Sequence, residues 1–213
     1  MRRTGSYVWG LASMVALAAW PVMAQQGWYA KGAVGIAWTE ELDLKQFIGP
    51  TSGASVEFDP GIRLDIGGGY RFSDWFAAEL ETGVIFNYFD RIGGDNDPDD
   101  SSLANVPFLI NGVFEFPTQS GFVPFIGGGL GFSFTVLELD HVGGVDGDDT
   151  DTVFAYQGFA GVRYDINEQW SVSLAYKYFG TSDPSWDVHH ISGEIELEGA
   201  HTHAVMAGFS YHF

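Results

Sequence analysis

From residue 191 to residue 213 the chain alternates between two chemistries. Ile191, Ile195, Leu197, Val205, Ala207, Phe209, Tyr211 and Phe213 share one parity, while Ser192, Glu194, Glu196, Glu198, Thr202, Ala204, Gly208, Ser210 and His212 share the other. Successive side chains of a β-strand point to opposite faces, so this pattern predicts one long strand with an apolar and a polar face. The apolar face needs oil, and the polar face needs water or polar partners.

The N-terminus sets the compartment. Arg2 and Arg3 form a positive head, residues 8–19 are mostly apolar, and Val22, Met23 and Ala24 supply side chains suited to a cleavage site. This is the form of a secretory leader at residues 1–24, cleaved after Ala24. The apolar run is too short, and too broken by Gly10, Ser13 and Pro21, to be a spanning helix. The chain has no cysteine, which excludes disulfides and cysteine-based metal sites. Its net charge of -19 becomes more negative once the two leader arginines are removed, and argues against nucleic acid as a partner.

The same alternation recurs upstream in segments 29–38, 62–72, 75–89, 104–116, 122–139, 152–166 and 170–179. With the last, this makes eight strands, an even number, in one domain at residues 25–213. Long acidic connections are expected at residues 39–61, 90–103 and 141–151, with a further connection at 180–190. Short polar ones alternate with them: Ser73-Asp74, residues 117–121 and residues 167–169. In segment 62–72, Ile62, Leu64, Ile66, Tyr70 and Phe72 face one way, and Arg63, Asp65 and Arg71 the other. Collecting the second parity along the chain gives an inward charge set of Lys31, Arg63, Asp65, Arg71, Glu79, Glu81, Glu115, Arg163, Asp165 and Lys177. Soluble sheets rarely bury such a set opposite continuous aromatics, so the pattern favours a membrane wall around a polar interior.

Four stretches carry a resemblance: Gly67 to Phe72, Val106 to Asn111, Val123 to Gly129, and Gly208 to Phe213. Taken in order they resemble the eight-stranded outer-membrane β-barrel family of OmpA-like transmembrane domains and OmpX-like proteins. The resemblance implies an all-β, eight-stranded antiparallel up-and-down transmembrane barrel in the Gram-negative outer membrane. Lipid alone explains apolar positions all round such a barrel, so a monomer is expected, and no cofactor is. It also implies that Phe209, Tyr211 and Phe213 form the C-terminal signal read by the barrel assembly machinery, after which the last strand pairs with the first. Lipids and lipopolysaccharide are the implied surroundings. No peptidoglycan-binding domain is inferred.

An eight-stranded barrel is just wide enough to be filled by its own side chains. The expected function is therefore a barrel plugged by paired charges, with a structural or surface-interaction role through acidic external loops that could meet an extracellular ligand. The alternative is a narrow pore in which an Arg and Glu pair exchanges partners. The Asp95 to Asp100 run departs from a calcium loop at Pro98 and at the glycine position, which is Asp100; Asp146 to Asp151 departs similarly. Both read as solvated acidic loops, with divalent-cation bridging to lipopolysaccharide phosphates as the alternative. His201 and His203 share the outward parity and lack a third metal ligand. His190 and Ser192 resemble the His-x-Ser pair of the lipid A deacylase barrel, but Ser192 has the inward parity, so no catalytic residue is assigned.

Overall fold

The computed structural model describes residues 26–40, 42–46, 55–58, 60–92, 95–96, 102–142, 145–182, 185–187, 194–197 and 199–213. Eight long strands build the wall: β1 (Gly27–Thr39), β2 (Gly61–Ser73), β3 (Phe76–Ile92), β4 (Ser102–Glu115), β5 (Phe122–Val142), β6 (Val145–Asp165), β7 (Trp170–Thr181) and β8 (His201–His212). Each pairs antiparallel with its sequence neighbours, and β8 returns to β1 with Tyr29 opposite His212 and Thr39 opposite Thr202. The sheet is closed, an eight-stranded antiparallel barrel with no free edge in its wall.

Period-two alternation becomes inside and outside. On β2, Ile62, Leu64 and Ile66 are 59, 47 and 64% exposed, whereas Arg63 and Asp65 between them are 0 and 2% exposed. The outer face is a band of exposed Ile, Leu, Val and Phe with Trp28, Trp75 and Trp170 at the short-turn end and Trp38 at the other. This is the inverse of a soluble protein and the pattern of a wall that faces lipid. Among the described residues no helix is long and apolar enough to cross a membrane.

Several segments differ from the sequence reading. The last strand does not run unbroken from residue 191. Glu194–Leu197 is a separate strand paired with Leu42–Gln46, and β8 starts at His201. The break falls where Gly199 lies against the Thr181 carbonyl with no room for a Cβ, and where the Ala200 carbonyl accepts from the Thr181 amide while the Ala200 amide donates to Thr181 Oγ1. Segment 39–61 is not wholly loop, because Leu42–Gln46 and Ser55–Phe58 pair with each other and the latter continues onto β3. Ser185–Asp187 likewise pairs with Glu194–Leu197. The segment 141–151 is mostly strand, with Thr135 opposite Asp151 and Leu139 opposite Gly147. Apolar alternation marks only strands with one face in oil. Hydrogen-bond pairing can carry a strand on without that signature. β3 also runs on to Ile92 and pairs with Asp95–Asn96. The turn after β2 is Asp74-Trp75, one residue later than expected, with Ser73 opposite Phe76.

The wall closes around its contents because β5 is bare on the inside at Gly127, Gly129 and Gly131. A Cβ on Gly127 would meet the Phe159 ring, one on Gly129 the Asn111 side chain, and one on Gly131 the Phe108 carbonyl. Gly158, on the outer face, has open space on its side-chain side, with nothing within 4 Å of where a Cβ would stand. Gly129→Ala should therefore destabilise the barrel by about 1–3 kcal/mol through overpacking, while Gly158→Ala should be neutral or slightly stabilising. Urea unfolding of the two refolded variants in micelles measures the contrast.

Candidate functional site

The ten charges of the sequence-derived set all lie on the inner wall, five of each sign, and pair among themselves. The larger group is built from β1, β2, β3 and β7. Lys31 is ion-paired with Glu79 and, at 2.6 Å, with Glu81. Lys177 reaches Asp65 at 2.7 Å and Glu81 at 2.6 Å. Arg63 Nε donates to Asp65 Oδ1 at 2.9 Å, and its Nη2 donates to Gln157 Oε1 at 2.9 Å. Gln157 Nε2 in turn donates to Glu81 and Asn111, each at 2.8 Å.

The smaller group sits nearer the short turns, on β2, β4 and β6. Arg71 grips Glu115 through two parallel bonds of 2.9 and 3.0 Å, the fork geometry that makes Arg–carboxylate pairs strong. Arg163 shares Glu115 and also holds Asp165 at 2.7 Å. Tyr29 joins the groups, since its hydroxyl donates to Glu79 at 2.6 Å while its ring lies under the Arg71 guanidinium, 5.3 Å away.

Apolar side chains alternate with these charges. Tyr29, Ala77, Val113, Phe159 and Phe125 form one cluster, and both lysines lie within 6 Å of the Phe159 ring centre. Toward the long connections Phe179, Ile85, Met206, Leu109, Ala37, Ala155 and Ala204 form a second cluster, with the Arg63 guanidinium 5.6 Å from the Phe179 ring. Above it come the hydroxyl and amide contacts of Thr39 with Asn87 and Thr202, and of Thr135 with Asn105. A pocket of about 80 Å³ lies beside the charges, polar and large enough to hold a few ordered waters. Low dielectric strengthens these pairs and makes an unpaired one costly.

Reading charge alone missed the connectors. Tyr29, Asn111 and Gln157 join the ionic groups, and His212 contacts both Arg71 and Ser171. Their signal was parity, since all four stand at inward positions. Phe159 and Phe179 carry the same inward parity, but nothing in the sequence says that they pack into layers.

Phe209, Tyr211 and Phe213 stand on the outer face at the short-turn end. Tyr211 packs edge-on against Phe213 and against Trp170, Phe209 lies over Gly32, and the Phe213 amide donates to the Trp28 carbonyl at 3.0 Å. His201 and His203 also face outward, at the other end. His203 bonds Tyr176 and Glu40, and His201 bonds Tyr178. His190 and Ser192 lie outside the described residues, as do Asp97, Asp99 and Asp100. Of the second acidic run, Asp146, Asp148, Asp149 and Asp151 lie on β6.

A family model described as an outer membrane protein beta-barrel domain matches residues 9–213. The chain belongs to this outer-membrane β-barrel family. The structure of OprG from Pseudomonas aeruginosa superposes with a TM-score of 0.65 at 17% identity, covering 91% of this chain and 100% of that one. Neisserial surface protein A superposes at 0.59 with 18% identity, covering 88% and 97%. A Rickettsia conorii protein named as a candidate adhesin is 26% identical over 175 residues, 74% of this chain and 70% of its own length.

Within the family fold, the shared carboxylate is the member whose loss is felt most. Glu81→Ala would strip Lys31, Lys177 and Arg63 of a common partner, and should cost about 3–5 kcal/mol. Glu168→Ala, at an exposed turn, should stay within about 0.5 kcal/mol of the parent. Urea midpoints of the folded, heat-modifiable band report both.

Proposed function

We propose that this protein is a closed outer-membrane barrel that works through its external surface rather than by conducting solutes. The carrying observation is the lumen, in which five cations and five carboxylates pair off among two apolar clusters around a pocket of about 80 Å³. Opening such a path requires breaking several buried ion pairs together, each with a desolvation penalty.

The charge distribution supports the surface role. Lys and Arg number nine. Two stand in the leader and five in the lumen, so only Lys45 and Arg91 remain among the long connections and strand extensions, against 21 of the 28 carboxylates. With short turns on the periplasmic side, as outer-membrane barrels have them, this acidic crown faces outward. The short strands at Leu42–Gln46, Ser55–Phe58, Ser185–Asp187 and Glu194–Leu197 extend the sheet beneath it. The partner chemistry it suits is a cationic surface, or divalent cations bridging it to lipopolysaccharide phosphate; it is unsuited to nucleic acid. The Rickettsia relative's name agrees with a surface role. The leader is removed after Ala24, and Phe209, Tyr211 and Phe213 present the terminal strand to the assembly machinery. The barrel acts as a monomer, since lipid accounts for its apolar face all round.

Planar bilayers containing the refolded mature chain should stay silent in molar potassium chloride; discrete openings altered by Arg71→Ala would overturn the closed lumen and establish a narrow pore. Vesicles carrying the protein should adhere to a polylysine surface and detach at molar salt, as expected for exposed charges beyond the screening length. Intact mass of the protein taken from the outer membrane should begin at Gln25.

A further inference from the structure

The outer wall of a small barrel is convex, yet on one side of this one there is a hollow of about 670 Å³. Its floor is Ala30 and Thr82, and its walls are Ile66, Leu80, Phe108, Ile110 and Phe132. The hollow follows from sequence and register. Thr82 stands opposite Ile66 on one side and Phe108 on the other, and Phe108 stands opposite Phe132, so one short side chain is flanked in its own row by bulky ones. In the next row Ala30 is opposite Gly68, Gly68 is opposite Leu80, and Leu80 is opposite Ile110. Two adjacent rows thus each combine small residues with tall apolar neighbours.

The seam beneath is also unusual. Between β3 and β4 the pairing lapses from Thr82 opposite Phe108 to Ile85 opposite Asn105. In this seam the Glu115 amide donates to the Trp75 carbonyl, which sets odd-numbered residues as the mutually bonded pairs. Gly83 and Pro107 form such a pair by register, and proline has no N–H to give the Gly83 carbonyl. The wall therefore lacks one ladder bond immediately beside the hollow.

We propose that this hollow is a fixed binding site for one acyl chain of an outer-membrane lipid. Its position identifies the occupant. The walls are among the most exposed apolar groups of the chain, with Ile66, Leu80 and Ile110 at 64 to 66%, and they are continuous with the lipid-facing band formed by Leu64, Val34 and Leu130. The volume falls in the range of small-molecule sites. Inside a bilayer there is no hydrophobic gain on leaving lipid for protein, so binding rests on dispersion contacts with a shape that fits. Ile and Phe walls on a hydrogen-bonded sheet lose little freedom when an acyl chain is laid between them, which lowers the cost of association. A lipid held this way stays with the protein when the bulk bilayer is stripped away, whereas lipid against the convex remainder of the wall exchanges.

The test is native mass spectrometry of the full chain extracted from outer membranes in a mild detergent, with the bound lipid identified after release. The parent should carry one lipid per barrel. Thr82→Phe and Ala30→Phe, which fill the floor from the lipid side, should each reduce that occupancy at least about five-fold, while Leu174→Phe on the far wall should leave it unchanged. Unheated gel migration establishes that each variant has folded, and at least one of the two filling variants suffices. Occupancy equal in the filled and parent barrels, or a parent that carries detergent and no lipid, would overturn the proposal.

Discussion

Hydrocarbon offers no hydrogen bonds, so every amide and carbonyl of a spanning segment must find its partner in the protein. That requirement, more than any side-chain contact, dictates this structure. Seven hairpin or loop connections leave β1 and β8 with open edges, and the eleven paired positions from Tyr29 opposite His212 to Thr39 opposite Thr202 remove both. The seam is reinforced where it ends. Phe213 bonds back to Trp28 at the short-turn rim, and Glu40 bonds His201 through the backbone and His203 through its side chain at the other.

Closure at eight strands then creates a second constraint. The inner wall is narrow, and whatever lies there is removed from water. Ten charged side chains in that space would be untenable singly, and they are tolerable because the two signs balance and each carboxylate of the larger group serves more than one donor. Glu81 is the clearest case, since it meets Lys31 and Lys177 and accepts from Gln157. The apolar cluster around Phe179 covers the larger group toward the long connections, and the one around Phe159 lies among the charges, so each pair is flanked by apolar side chains that keep its surroundings low in dielectric.

Much of this was legible in the sequence, and what was not has identifiable physical reasons. Alternation revealed the strands wherever one face meets lipid, as in β2, whose Ile and Arg positions sort by parity alone. It failed at Glu194–Leu197, which alternates in step with β8 and looked like its start, because parity says nothing of which strand a segment pairs with or where the chain breaks between two strands. Parity also marked inward charges without saying which would pair. Partners such as Arg71 and Glu115 are 44 residues apart in sequence and meet only through barrel closure. The shared role of Gln157 and Asn111 was hidden for the same reason, and the apolar layers were hidden because an inward Phe159 or Phe179 is indistinguishable in sequence from a residue on a wider, wetter wall.

The division of charge between barrel and crown has a further consequence. Inside the barrel the five cations and five carboxylates cancel, so the spanning body carries almost no net charge and its stability is insulated from salt by burial. The excess of carboxylates belongs to the long connections and strand extensions and not to the lumen. Sequence change in those connections therefore leaves untouched the ion pairs inside the wall. A barrel whose connections shared the interior charges would couple every change in them to a loss of stability. Here Lys31 and Lys177 hold the interior carboxylates, while Lys45 and Arg91 are the only positive charges left among the acidic connections.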